Sequence, residues 1–296
     1  MDNGGSGTVT NVRSSDTRMR SGNRRTIAQG AWRTLIVLLA AALLAVPIDA
    51  QDDRAAGREI VKKWQAAIVN VRVVLKMRVS VGGREMQSMD ESVETVGTVI
   101  HPSGLTVLSL GALNPGAMMN KMMGGGGSGQ ERMEFGSEPS DVKLRLSDGK
   151  ELPARIVLRD EDLDLAFLRP TTTPDKPLVA IDLADEGRPS MLDTVVVLSR
   201  LGRVGGWTPA ASLQTIGAII ERPRTFYVIE TGSANGVGTP AFTTGGKVVG
   251  LLTMRSVQSG RPGMFSMVGG SEGVGLLPVI LPAADVRDIA QQAPEK

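Results

Sequence analysis

The chain has 296 residues, of which 41% are hydrophobic and 22% are charged, and its formal net charge is +2. This composition is typical of a globular protein with one or two domains and excludes a disordered or collagen-like chain. Cysteine is absent and histidine occurs once, which excludes a thiol nucleophile, disulfide bonds and a Cys/His metal cluster, so we expect no cofactor and no metal.

The N-terminal region has the pattern of an export signal. Arginines precede an apolar run at residues 35–46, and Pro-Ile-Asp-Ala follows it. As a helix this run would measure about 18 Å, which is short of the roughly 30 Å of a bilayer core. We therefore predict a signal peptide and a disordered N-terminus over residues 1–50, cleavage near Ala50, and a periplasmic or secreted location. An uncleaved signal that anchors the chain in a membrane is the alternative.

The positive charge of the chain lies in that same region. Residues 1–50 contain six basic and three acidic residues, so 27 basic and 28 acidic residues follow them. The net charge beyond residue 50 is therefore about −1, which gives no general attraction to nucleic acid or to an anionic membrane. Aromatic residues, at 3% of the chain, are also too few for the stacking surfaces that bind single strands. We predict no nucleic-acid partner, and membrane contact only through an uncleaved signal.

The next region is typical of an all-β fold. Short runs with period-2 hydrophobic patterning alternate with turns rich in Gly, Pro and Asp-Gly. A first set of strands is predicted at residues 68–81, 96–100, 105–110, 142–146, 152–158 and 165–168. The turns at residues 101–104 and 147–150 make two hairpins of this set. About six strands are enough for a closed sheet.

A segment of linker composition at residues 171–177 divides the chain, because the strand series begins again after it. A second set of strands is predicted at residues 194–198, 212–220, 226–230, 247–253 and 273–278. One short amphipathic helix is predicted at residues 282–292. We therefore predict two small β-barrels, over residues 51–170 and 178–296, with a short C-terminal helix.

Residues 114–140 interrupt this regular pattern. They contain five methionines around a Gly-Gly-Gly-Gly-Ser-Gly run, and we expect a flexible loop. Methionine thioethers are also suitable ligands for Cu(I) in an exported protein. A Met-rich copper-binding protein is therefore one alternative function.

Three segments together form a family pattern. Residues 96–113 contain a Gly-rich strand, a turn and a second strand that leads into Gly111. Residues 146–168 contain an Asp-Gly hairpin followed by Asp-Leu-Ala-Phe-Leu. Residues 230–251 contain a Gly-Val-Gly-Thr-Pro turn followed by Gly-Lys-Val-Val-Gly-Leu. In this order the segments resemble the exported trypsin-like serine proteases of the HtrA/Deg family, and the resemblance covers nearly all of residues 64–292.

The resemblance implies an all-β, trypsin-like double six-stranded β-barrel, and it implies a position for each catalytic residue. Gly111 occupies the position of the catalytic histidine, Asp164 that of the triad aspartate and Val237 that of the nucleophilic serine. The equivalents of the family's oxyanion loop are Asn235, Gly236, Val237 and Gly238. No PDZ domain is expected after the terminal helix.

These replacements remove the chemistry of the triad. A Ser-His-Asp triad needs an oxygen nucleophile, an imidazole that transfers its proton and a carboxylate that orients the imidazole. Only the carboxylate of Asp164 is present, because glycine and valine have no group that accepts a proton or forms an acyl intermediate. The single histidine, His101, is predicted in an exposed turn at the opposite end of the strand that leads to Gly111.

We therefore predict a degenerate family member, a pseudoprotease that binds an extended peptide or an envelope protein partner without cutting it. The resemblance also allows a homo-oligomer. Besides the copper-binding alternative, an active serine endopeptidase of the same family stays open, in which Ser233 or another serine attacks from an unconventional site.

Overall fold

The computed structural model describes residues 48–116, 120, 133–230, 236–256 and 276–295. The predicted signal at residues 1–50 lies outside this part of the chain except for its last three residues. From Asp49 onward the chain forms one compact unit. Among the helices of the described part, none is long and apolar enough to cross a bilayer.

Six strands form a first closed antiparallel barrel. They are β1 (Ile68–Val81), β2 (Arg84–Val99), β3 (Thr106–Ser109), β4 (Met133–Arg145), β5 (Glu151–Asp160) and β6 (Leu165–Pro170). The barrel closes in the order β1-β2-β3-β6-β5-β4. Alternate residues of β1, including Val71, Val73 and Leu75, are completely buried in its aliphatic core. The period-2 pattern therefore places these side chains inside the barrel, as a strand requires.

Six further strands form a second closed barrel. They are β7 (Thr194–Arg200), β8 (Pro209–Ile220), β9 (Phe226–Ile229), β10 (Pro240–Thr243), β11 (Val248–Ser256) and β12 (Leu276–Pro282). Their order is β10-β11-β12-β9-β8-β7, and a short helix, α2 (Ala283–Ala290), follows β12. The predicted architecture of two six-stranded barrels with a short C-terminal helix is confirmed. The four-residue strand β10 was not predicted.

A helix that precedes the first barrel packs against the second. It is named α1 here and spans Ile48–Trp64. Ile60 is buried in a cluster shared by the two barrels, and the ring of Trp64 stacks on Phe242 of β10 with centroids 6.2 Å apart. This helix was not predicted, although Ile60, Val61 and Trp64 recur at helical spacing.

Two strands of the first barrel are longer than predicted. β2 begins at Arg84 and not at residue 96, and β4 begins at Met133 and not at residue 142. The prediction of a flexible loop at residues 114–140 is therefore wrong for residues 133–140, while most of the remaining loop lies outside the described residues. These extensions are too polar to show a buried face, and they form strands because both pair with β1.

The connection between the barrels is also longer than the predicted seven-residue linker. Residues 171–193 contain no strand. The Ile181 amide donates to the carbonyl of Val99 in the first barrel at 2.9 Å, and the Gly187 amide donates to the carbonyl of Val248 in the second at 2.8 Å. Each half of the connection is therefore hydrogen-bonded to the barrel beside it.

Arg200, at the end of β7, links the barrels through their backbones. Its guanidinium donates to the carbonyls of Ile68 at 2.6 Å, Gln65 at 2.9 Å and Trp207 at 3.0 Å. Burial lowers the pKa of this side chain. Three carbonyl oxygens solvate a partly buried charge here, and they tie the start of β1 to the second barrel.

Candidate functional site

The carboxylate of Asp164 is held by the end of strand β3. Asp164 precedes β6 and has a left-handed backbone with φ of +58°. Its Oδ2 accepts a hydrogen bond from the Ser109 hydroxyl at 2.5 Å, and its Oδ1 accepts one from the Gly111 amide at 2.7 Å. The amide of Leu110 donates to the Asp164 carbonyl at 2.9 Å. Both oxygens therefore accept a hydrogen bond, and the bond to Oδ2 comes from Ser109, which is 95% buried. Together these bonds fix the direction of the carboxylate.

Gly111 lies directly against this carboxylate. It begins a short 3-10 turn, Gly111–Leu113, after β3. A Cβ added to Gly111 would lie 3.3 Å from Oδ1 of Asp164 and 3.6 Å from the Ser109 hydroxyl. The structure therefore places the first two predicted site residues together, and a side chain at position 111 would begin beside the carboxylate.

Val237 lies in a turn between two glycines with positive φ. Gly236 has φ of +123° and Gly238 has φ of +87°, which are conformations that side chains disfavour. The carbonyl of Gly236 accepts hydrogen bonds from the amide of Thr239 at 2.9 Å and from its hydroxyl at 2.5 Å. The Gly238 amide donates to the carbonyl of Leu252 at 2.7 Å. Of the predicted oxyanion loop, Asn235 lies outside the described residues, as does Ser233.

This turn belongs to the second barrel but packs against the first. The hydroxyl of Thr98 in β2 donates to the carbonyl of Gly238 at 2.9 Å. A Cβ added to Gly238 would lie only 2.9 Å from the backbone nitrogen of Ser109, so glycine is needed here for both its φ and its size. Gly111, Asp164 and the turn around Val237 therefore meet where the barrels join.

A second contact joins the barrels beside the site. The guanidinium of Arg255 in β11 donates to the carbonyl of Asp162, two residues before Asp164. It also lies over the ring of Phe226 at 5.1 Å from the centroid. Neither this contact nor those of Ser109 and Thr98 can be predicted from local sequence patterns, because each depends on which distant strands meet.

His101 lies away from the site, as predicted. It is exposed in the turn between β2 and β3, at the end of β3 opposite to Ser109. Its Nδ1 lies 2.8 Å from the hydroxyl of Ser103 and accepts a hydrogen bond from the Ser103 amide at 3.2 Å. Within the described ranges, no group of three or more histidine, aspartate or glutamate side chains is arranged to hold a metal ion.

Comparison with known proteins found one family model that matches part of the chain. Residues 124–251 match the family model of the trypsin-like peptidase domain. The matched region includes Asp164 and the turn at residues 236–238, and it ends before β12. This match and the two six-stranded barrels support a relationship to the trypsin-like serine proteases. The search of curated proteins found no match to the chain.

Proposed function

We propose that this protein is an exported, non-catalytic homologue of the HtrA-type serine proteases that binds extended peptides or an envelope protein partner. The observation that carries the proposal is Gly111. Its amide bonds the carboxylate of Asp164 at 2.7 Å, in the place from which an imidazole would be oriented, and glycine has no imidazole.

The second half of the proposal concerns the nucleophile. Val237 stands between the two glycines of the turn, and its side chain has no oxygen that could act as a nucleophile. In a comparable hydrolase, loss of the triad lowers turnover by roughly a millionfold. What remains from binding and oxyanion stabilisation is about a thousandfold over water, which is too slow for proteolysis. The junction of the barrels at Gly111, Asp164 and Val237, called the cleft from here on, is therefore proposed to bind and not to cut.

An open strand edge beside the turn supports peptide binding. β11 pairs with β12 from Gly250 to Ser256, whereas it pairs with β10 only from Val248 to Leu251. At Leu252 both backbone groups bond the segment that precedes β10. Backbone groups that face one side recur at every second residue, so the amide and carbonyl of Met254 face the same side. No described strand covers them, and an extended peptide can add there.

The catalytic part of the proposal is tested with a serine-directed fluorophosphonate probe and with unfolded casein. We expect neither labelling of the protein nor cleavage of casein. Labelled protein or casein fragments would contradict the proposal, and loss of both in Ser233→Ala would then identify the active endopeptidase considered above. Gly111→Ala serves as a control, because it changes the site without adding a reactive group.

The binding part is tested at Met254 with labelled, unfolded casein. Met254→Pro removes one amide from the open edge and leaves the bonds to β12, whereas Met254→Leu keeps the amide. We expect casein to bind the parent and the leucine variant alike and to bind the proline variant about tenfold more weakly. Equal affinity of all three proteins, or no affinity of the parent, would contradict binding at this edge.

The proposed export depends on the N-terminal sequence. Fractionation of cells that express the full chain is expected to recover it in the periplasm, in the medium or attached to a membrane through residues 35–46. Recovery in the cytoplasm would contradict export and would leave the cleft proposal unaffected.

A further inference from the structure

Strands β1, β2 and β4 extend beyond the first barrel as a three-stranded arm. The arm consists of residues 75–81, 84–94 and 133–141, with β1 in the middle. β2 pairs with β3 only at its last two residues, Thr98 and Val99. The arm therefore has two long edges, one along β2 and one along β4.

The β4 edge is covered by another part of the chain. The side-chain amide of Asn120 donates to the carbonyl of Phe135 and accepts from its amide, both at 2.8 Å. The hydroxyl of Ser137 donates to Oδ1 of Asn114 at 2.7 Å. Asn120 thus replaces a neighbouring strand at Phe135 and satisfies its outward backbone groups.

The β2 edge is open in the described part of the chain. No described strand pairs with its outer side before Thr98, and nine consecutive residues, 84–92, are exposed. At about 3.3 Å per residue, these nine residues present an edge of roughly 30 Å. An edge of this length offers a row of backbone donors and acceptors to another strand.

The charge of this edge selects among partners. Residues 84–94 contain four acidic residues and one basic residue, Arg84. Antiparallel pairing of residues 84–95 with their own copy in full register would place Glu85 opposite Glu94, and like charges that face each other across strands are destabilising. A basic strand would instead meet opposite charges, and the exposed Met86 and Met89 provide apolar contact.

We propose that the outer edge of β2, residues 84–95, binds an extended peptide segment rich in lysine or arginine, which adds to the arm as a fourth strand. The excess of acidic side chains disfavours pairing of the edge with its own copy and favours a basic strand. The site lies at the far end of β1 from Ile68, which packs between the barrels. It is therefore separate from the cleft and does not depend on the function proposed there.

The test uses the purified full chain and a labelled nine-residue peptide of alternating lysine and threonine. We expect the peptide to bind, to bind more weakly as salt rises from about 20 mM to about 0.5 M, and to protect the amides of residues 84–95 from hydrogen exchange. A lysine-proline peptide of equal charge is expected to bind at least about tenfold more weakly, because proline lacks the amide that a strand needs.

Two matched variants locate the site. Glu85→Gln/Asp90→Asn/Glu91→Gln removes three charges from the edge, and Glu59→Gln/Glu221→Gln/Asp288→Asn removes three exposed charges elsewhere. We expect about tenfold weaker binding in the first variant and less than about twofold change in the second. Equal effects of the two variants, equal binding of the proline peptide, or protection only outside residues 84–95 would overturn the proposal.

Discussion

The first barrel brings to the cleft a carboxylate with donors on both oxygens, whereas the second brings a turn held by its own backbone and by the hydroxyls of Thr239 and Thr98. Asp164 depends on the side chain of Ser109 and the amide of Gly111. The turn depends on the positive φ of Gly236 and Gly238 and on the bond from Thr98. In both halves the groups that hold the site differ from those that would react at positions 111 and 237. The reacting groups can therefore be absent while the site keeps its shape.

The largest effect is expected from restoring the two missing groups together. Neither Gly111 nor Val237 has a positive φ, so histidine and serine fit their backbones. We expect Gly111→His/Val237→Ser to react with a fluorophosphonate probe, and each single variant to stay unlabelled, because a triad acts as a unit worth roughly a millionfold. Circular dichroism checks the fold of each variant. A folded double variant that stays unlabelled would show that the turn no longer has a reactive geometry.

The next effect concerns the contact between the turn and the first barrel. Gly238→Ala is expected to lower the free energy of unfolding by about 3 kcal/mol, because it combines backbone strain with overlap at the Ser109 nitrogen. Gly246 has φ of +84° and no atom within 4 Å of an added Cβ, so Gly246→Ala measures the strain alone, about 1 kcal/mol. Urea unfolding measures both. Equal losses would mean that the turn does not press on the first barrel.

A smaller effect separates two of the hydroxyls that hold the site, those of Ser109 and Thr98. Ser109→Ala removes a charge-assisted bond and is expected to cost about 2 kcal/mol, whereas Thr98→Val removes a bond to a neutral carbonyl and is expected to cost about 1 kcal/mol. Urea unfolding of both variants at neutral pH checks this order. A greater loss of unfolding free energy in Thr98→Val than in Ser109→Ala would contradict the expectation that the charged acceptor forms the stronger bond.

The smallest effect concerns Asp285, a carboxylate outside the cleft. Burial raises the pKa of Asp285, and Arg224 at 3.2 Å opposes this shift. The folded protein then keeps this proton to a higher pH than the unfolded chain does. The stability that this group contributes to the fold is therefore present at low pH and is lost as the pH rises through the raised pKa. Relative to the parent, Asp285→Asn is therefore expected to gain about 0.5 kcal/mol of unfolding free energy between about pH 3 and pH 6. No change would contradict the shift.

Most of the barrel strands were predictable because the alternation of hydrophobic and polar residues shows which side chains face the core. The predicted strand at residues 68–81 coincides with β1, in which burial alternates from Val71 to Leu75. The outer part of β2 has no buried face, and β10 has only four residues, so local patterning shows neither. Their strand structure comes from the partners with which they pair.

The candidate site was predictable only through the family resemblance. The resemblance assigned Gly111, Asp164 and Val237 to one site, and the structure brings Gly111 and Asp164 into contact. The roles of Ser109 and Arg255 follow from contacts across 55 and 93 residues of sequence, which no local pattern records.

The stacking of Trp64 on Phe242 makes the native protein its own optical probe. Indole emission changes when a ring leaves a packed aromatic neighbour for water, so the fluorescence of Trp64 reports the release of α1 from the second barrel. Trp207, whose carbonyl accepts from the same guanidinium of Arg200 as that of Gln65, packs against the cluster shared by the two barrels. When one indole at a time is replaced by phenylalanine, stopped-flow fluorescence can measure the rate of helix detachment and the rate of barrel separation as distinct events.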